Sequence, residues 1–572
     1  MSPFPEHPEG MGELADDAIP ARVDQILPVV GLGGSAGSLA ALQTFFERMP
    51  ANSGMAFVVI LHLSPEHESL MAEILQRSSS MPVIEVRTEE EVEANRVYVI
   101  PPGKHLSMKE GKLRLSDLEP ERGRRVAVDL FLRTLAESQG QSSIGIVLSG
   151  ADTDGAIGIK RIKEQGGLTI AQEPTEAEHP GMPRAAIATG MVDWVLPVGE
   201  MPKRLIEFLN NGRRFHLPEG ATHRPESQTS PRTHAGAGAT LQEVLSFLRA
   251  RTGRDFTCYK HATILRRIRR RMQVNGIESL PDYVGFLRKE TGEPSALVQD
   301  LLVSVTNFFR DHAAFEALAA EMPRLFEDNT DSGQVRVWVP GCATGEEAYS
   351  IAILLSEYAA RLVEPPSIQV FATDLHENSL HVAREGLYPD TIVADLSEER
   401  LRGFFSKDHG GYRVKRELRD VVLFAPHDLL RDSPFSRLDL ISCRNLLIYL
   451  NGNAQKRALD TLHFGLRPNG LLFLGLSESV DEGTRLFTPL NKKHRLYIRQ
   501  TTSTAALPGP PLPRVEMTDR GIEPDSPTPH VSPLTRSLQP SGLPAARQEI
   551  STGALHLKLI ERMAAPLCSG RW

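Results

Sequence analysis

Short apolar runs rich in valine, isoleucine and leucine recur along two stretches of the chain and alternate with segments of helical period. In residues 27–196 the runs are LPVVGLGG, MAFVVILHL, VYVIPPG, SSIGIVLSG, LTIAQ and MVDWVLP; in residues 335–498 they are VRVWVP, IQVFATD, LDLISC and LLFLGL. Uninterrupted apolar strands separated by helices predict parallel sheets covered on both faces. The expected fold class is therefore α/β, with two doubly wound parallel-sheet domains. Residues 241–325 have helical period throughout and predict a helical subdomain ahead of the second sheet; an insertion near residues 387–423 predicts a small β addition within it.

Breaks in the pattern set the boundaries. Residues 1–24 read as a disordered acidic tail and residues 25–205 as the first domain. Residues 206–240, rich in Pro, Gly, Ser and Thr, read as a flexible linker. The helical subdomain covers 241–325 and the second sheet domain 326–500. Residues 501–545 read as a second disordered linker, and 546–572 as the start of a further, truncated region.

Composition narrows the class. With 572 residues the chain is long enough for several cores, and a net charge of −8 argues against bulk nucleic-acid binding. No apolar run is long enough to span a membrane, and the N-terminus lacks the basic and apolar parts of a signal peptide. The four cysteines are far apart, which points to a reducing cytoplasm with neither a disulfide frame nor a zinc motif.

Two glycine turns carry the chemistry. Gly33-Gly34-Ser35-Ala36-Gly37 fits G-x-S-x-G, a sharp strand-to-helix turn that exposes a serine hydroxyl above the sheet. A serine needs a base, and His62 ends the next strand on the same carboxyl edge. An acid to orient that histidine stands in LSGADTDGAIG: Asp154, with Asp152 as the rival. The same stretch also matches the dinucleotide fingerprint G-x-G-x-x-A, but a ribose-binding acid should then end the second strand, where this chain has His62. An α/β-hydrolase would run Ser, Asp, His, whereas here the order is Ser, His, Asp.

Residues 27–200 resemble the catalytic domain of the chemotaxis receptor methylesterase family, CheB, through GLGGSAGSLAAL, ILHLSPEH, YVIPPGKHL, LSGADTDGAIG and IAQEPTEAEHPGMPRAAIATGMVD. The resemblance implies hydrolysis of glutamate γ-methyl esters by a triad of Ser35, His62 and Asp154. Ala36 departs from the threonine common in that family.

The second turn, Gly341-Cys342-Ala343-Thr344-Gly345, is followed by Glu346 opening a helix. Its spacing is not the dinucleotide fingerprint. The next strand ends in Asp374, suited to accept hydrogen bonds from ribose hydroxyls. Arg444, Asn445 and Tyr449 follow a third strand. Taken alone, these features describe a Rossmann-like domain of unknown ligand.

Residues 245–498 resemble the chemotaxis receptor glutamate methyltransferase family, CheR, through TCYKHATILRRIRRRM, SVTNFFRD, VPGCATGEEAYSIAILL, FATDLHENSL, FAPHDLL, CRNLLIYL and LRPNGLLFLGLSES. The resemblance implies S-adenosyl-L-methionine as cofactor, with contacts on Thr306, Arg310, Glu346, Asp374, Asp428, Leu429, Arg444 and Asn445. Asp428 and Ser304 each replace an asparagine common there. A glutamate carboxylate with a pKa of about 4.3 is already ionised at neutral pH, so the chemistry asks for positioning rather than a base. Arg310 is suited to steer that carboxylate and Tyr449 to line the methyl path. The basic run at 260–271 reads as a docking face for acidic receptor helices rather than for nucleic acid. The combined expectation is a cytoplasmic enzyme that both methylates and demethylates glutamates of methyl-accepting chemoreceptors or similar signalling proteins. The alternative is a signalling scaffold with one or both sites vestigial.

Overall fold

The computed structural model describes residues 26–62, 70–117, 126–214, 232–302, 305–327, 333–408, 411–480 and 486–501. The tail expected at residues 1–24, Ser304 and the region expected at 546–572 lie outside the described residues, as does the second linker beyond residue 501.

The first domain is a seven-stranded parallel sheet of β1 (Val29–Gly34), β2 (Ala56–Leu61), β3 (Val83–Glu85), β4 (Val97–Val99), β5 (Ser143–Val147), β6 (Leu168–Gln172) and β7 (Trp194–Leu196), in the order β7-β6-β5-β1-β2-β4-β3. The chain winds outward from β1 in both directions. The carboxyl edge between β1 and β5 is thus a topological switch point, where such sheets open a crevice. Glycines in β1 serve packing here: a Cβ on Gly33 would come within 2.1 Å of Val128 on the helix Ala127–Gln139. That explains the G-x-G without a nucleotide.

The second sheet holds β8 (Gln334–Pro340), β9 (Ser367–Asp374), β10 (Val422–Pro426), β11 (Leu438–Cys443), β12 (Leu466–Leu474), β13 (Phe487–Asn491) and β14 (Leu496–Arg499). Their order is β10-β9-β8-β11-β12-β14-β13, and only β14 runs antiparallel to the others. The expected insertion is a three-stranded antiparallel sheet formed by Leu387–Tyr388, Phe405–Asp408 and Gly411–Val414.

The helical subdomain packs Val244, Leu248, Ile264, Ile268, Met272 and Tyr283 into a core of its own. Its basic helix, His261–Asn275, turns that apolar face inward and another face onto the first domain. Arg267 and Arg270 are 2% and 5% exposed, so this part of the helix is not an open docking face. The receptor-docking expectation is corrected for these two arginines, while Arg266 on the same helix stays exposed. Arg267 donates to the carbonyls of Lys163 (3.1 Å) and Glu164 (2.6 Å), at the C-terminal end of the helix Ala156–Gln165. Unpaired carbonyls and the negative end of the helix dipole favour a cation there. Arg270 bonds the Gly167 carbonyl, Asp193 and Asp300, and Lys163 bridges the same two aspartates at 2.6 and 2.8 Å. Arg271 is held within the subdomain by Glu293.

This contact also moves the expected linker. The helix Met201–Arg214 continues past residue 205, because Leu205 and Phe208 are buried in the first core and the Phe208 carbonyl accepts from Gln273 at 3.0 Å. The helix Arg232–Thr252 starts inside the segment expected to be linker, although the two glycines of THAGAGAT disfavour a helix there.

Candidate active sites

Ser35 stands at the end of β1, half-buried, with its N–H held by the Ser149 carbonyl at 2.9 Å and its own carbonyl accepting from the Ser38 hydroxyl at 2.6 Å. Gly37, at φ +73°, opens the helix Ser38–Arg48; a Cβ there would meet Glu178 at 2.7 Å. The departure at Ala36 points outward and is exposed. Two supports were not singled out from the sequence. Ser149 Oγ donates to the Ala36 carbonyl and accepts from the His179 N–H, both at 2.9 Å, and Gly150 packs its backbone between Ser35 and Met182. Both lie in quoted motifs, but nothing in their residue types marks them as supports.

His62, at the end of β2, lies between two carboxylates: Nε2 is 2.8 Å from Asp154 Oδ2 and Nδ1 is 3.3 Å from Asp152 Oδ2. The rivals of the sequence therefore flank one ring. They differ in environment. Asp154 has no side-chain exposure and also accepts the backbone N–H groups of Val128, Asp129 and Gly155 at 2.8–2.9 Å, at the N-terminus of a helix. Asp152 is 28% exposed. Burial alone would lower the His62 pKa; the bonds to Asp152 and Asp154 outweigh it and raise it to about 9. Among the described residues, no hydrogen bond joins Ser35 to His62. Behind the triad, burial and the charge of Asp154 push Asp129 well above the usual carboxylate range.

At the second sheet the turn after β8 uses left-handed backbone at Gly341 (φ +71°), Ala343 (+48°) and Gly345 (+95°). Asp374 closes β9 and accepts the N–H groups of Ala343 and His376, each at 2.8 Å. Burial raises its pKa, and these bonds oppose that. A carboxylate keeps further lone pairs after two such bonds, so Asp374 can still accept hydroxyls. Beside it opens a cavity of about 400 Å³ lined by Gly341, Ala343, Asp374, Asp428, Leu429, Asn445 and Tyr449. Thr257, Cys258, Tyr259 and His427 also line it and were not predicted as site residues. His427 Nδ1 is buried there with no hydrogen-bond partner among the described residues, while Nε2 faces the Ser433 carbonyl at 3.0 Å. A further unpredicted residue is Glu478, a buried carboxylate that accepts the N–H groups of Asn445 (2.9 Å) and Gly475 (2.7 Å) and so shapes the loop carrying Asn445.

Thr306, Arg310, Glu346 and Arg444, expected as cofactor contacts, stand outside the lining of this cavity. Thr306 and Glu346 face a narrow crevice shared with Ile157 and Lys160 of the first domain, and Glu346 accepts from Thr344 Oγ1 at 2.6 Å. Arg444 is sandwiched between Phe315 and Phe473 and donates to Asp311 at 2.7 Å. Arg310 donates to Glu164 Oε1 at 3.1 Å and to the Val305 carbonyl at 3.2 Å. A nearer partner has thus taken the side chains of Glu346, Arg444 and Arg310, and of these only Arg310 is engaged across the domain contact.

Both resemblances expected from the motifs hold. Residues 30–205 match the family model of CheB methylesterase. Residues 239–302 match the CheR methyltransferase all-alpha domain, and residues 304–496 its SAM binding domain. An uncharacterized 104.1 kDa protein of Rhodobacter capsulatus is 35% identical over 75% of this chain, which spans 46% of that protein's length. The chemotaxis protein methyltransferase of Escherichia coli K12 is 32% identical over 44% of this chain and 87% of its own. The crystal structure of the Thermotoga maritima CheB methylesterase catalytic domain is 31% identical over 32% of this chain and 98% of its own, with a TM-score of 0.30. The chain belongs to the CheR chemotaxis methyltransferase family and carries a CheB methylesterase domain ahead of it in the same polypeptide.

Proposed function

We propose that this is a two-site cytoplasmic enzyme that methylates glutamate side chains of chemoreceptor-type proteins and hydrolyses the resulting γ-methyl esters. The observation that carries the reading is the presence in one chain of a strand-end serine beside a carboxylate-held histidine and of an acid-edged cavity on a second sheet. At the first site Ser35 Oγ attacks the ester carbonyl while its proton passes to a ring nitrogen of His62. Collapse of the adduct expels methanol, which takes that proton. Water then hydrolyses the acyl-Ser35, with His62 again accepting a proton. Asp154 orients the ring and stabilises the imidazolium that forms. One nitrogen must turn from its carboxylate to Ser35, and the more exposed Asp152 is the partner that gives way.

At the second site S-adenosyl-L-methionine, when bound, supplies a methyl group activated by its sulfonium charge. The residues present fit it. Asp374 suits the ribose hydroxyls, Asp428 and Leu429 suit the adenine end, and His427 Nδ1, with no hydrogen-bond partner among the described residues, offers a further acceptor on the wall. Arg310 and Tyr449 then position the acceptor carboxylate, which needs no base. The test is to incubate the intact chain with a glutamate-bearing chemoreceptor fragment and methyl-labelled cofactor. Base-labile label on glutamate, followed by Ser35-dependent methanol release, is expected; label on any other residue type would overturn the reading.

A further inference from the structure

The chemistry that Arg310 is suited to hold in a substrate is a glutamyl carboxylate, and it already holds one. Glu164, from the last turn of the esterase helix Ala156–Gln165, reaches across the domain contact with Oε1 3.1 Å from the Arg310 guanidinium. The two side chains are 5% and 13% exposed, so the pair is shielded from water and competing ions. Its other oxygen is paired with Arg161 of its own helix. The pair stands near enough to Tyr449, which lines the cofactor cavity, for the charges of both side chains to act on its hydroxyl, although neither side chain lines the cavity itself. Glu164 is held there by its backbone. Arg267 bonds its carbonyl at 2.6 Å, and the buried square of Lys163, Asp193, Arg270 and Asp300 locks the adjoining turn to the basic helix.

We propose that Glu164 of the esterase domain occupies the acceptor-carboxylate subsite of the methyltransferase as an internal stand-in for the substrate glutamate. The proposal rests on reading Arg310 as the residue that steers the acceptor. An incoming glutamate has to displace Glu164, so the apparent acceptor affinity is reduced by the fraction of time Arg310 is free. The esterase domain thereby restrains the opposing reaction through one side chain.

The experiment uses the intact chain, labelled S-adenosyl-L-methionine and a purified glutamate-bearing chemoreceptor fragment, and separates KM for the fragment from kcat. For Glu164→Gln and Glu164→Ala the acceptor KM should fall roughly three- to tenfold, as expected if Arg310 is free about a tenth to a third of the time. Cofactor affinity by calorimetry and ester hydrolysis should stay at the wild-type level. Arg270→Ala, which loosens the contact without touching either side chain, should lower the same KM and serves if the Glu164 variants do not fold. A working wild-type rate with an acceptor KM that stays put or rises in the folded variants overturns the Glu164 assignment alone. Failure of wild type and variants alike to bind cofactor or transfer methyl overturns the methyltransferase reading, and this proposal with it.

Discussion

His62 Nε2 and Asp154 Oδ2 lie 2.8 Å apart, joining the end of β2 to the loop after β5 across β1, which carries Ser35. Because Asp154 is fully buried and takes three backbone N–H groups besides the imidazole, it is the rigid member of the pair. Asp152, on the opposite ring nitrogen, is the exposed and yielding one.

Ser35→Ala should abolish ester hydrolysis, and Asp154→Asn should lower kcat by about 10⁴, the scale seen when a triad loses its orienting acid. Methyl transfer should persist in both. Methanol release from a methylated receptor fragment checks the first point. A larger loss with Asp152→Asn than with Asp154→Asn would reverse the assignment of the acid.

The esterase should be alkaline in its pH profile. With His62 raised to about 9, the imidazole is protonated at neutral pH and becomes a base only as the pH climbs through that value. Asp152→Asn removes one of the two carboxylates, so the acid limb of kcat/KM should move down towards the ordinary value of about 6.5 and activity at pH 7 should rise. The stability linkage has the matching sign. A pKa higher in the folded state contributes stability that is full below about 6.5 and is lost as pH rises through about 9. Denaturant midpoints of wild type and Asp152→Asn between pH 6 and 10 compare the two.

Asp374→Ala should weaken S-adenosyl-L-methionine binding by roughly 1–3 kcal/mol, the cost of leaving hydrogen-bonding groups unpaired. The same change frees the Ala343 and His376 N–H groups, so part of the loss is a loosened turn. Calorimetry with wild-type affinity would move the ribose site elsewhere.

Arg270→Ala should cost about 3–5 kcal/mol, because it leaves Asp193 and Asp300 buried with Lys163 as their shared cation. Attraction from Arg270 and Lys163 overcomes burial and holds both carboxyls below their ordinary range, so both remain charged in the fold. Chemical denaturation should show the loss, together with a first transition that separates the two halves.

Much of this was legible from local pattern. Strand-length apolar runs set against helical period predict parallel sheets, and a strand end places whatever follows it on the carboxyl edge. Ser35, His62 and Asp374 could therefore be singled out from position, whereas position left Asp154 and Asp152 as rivals and only the resemblance chose between them. The helical reading of residues 241–325 rested on the same periodicity, and the G-x-S-x-G turn on the backbone freedom of glycine. The uses of a charged side chain were not legible. Nothing in RRIRRRM says which arginines meet solvent, and the packing of one domain on the other buried Arg267 and Arg270 against the carbonyl end of a helix far away in sequence. The same contact drew Arg310 to Glu164, while buried rings enclosed Arg444. Long-range electrostatics and burial belong to the assembled surface, because a charge's partner is set by what comes within a few ångströms in space. The sequence by itself determined the two sheets and the residues at their edges; only the tertiary structure decided which of those residues are free to act and which are already engaged.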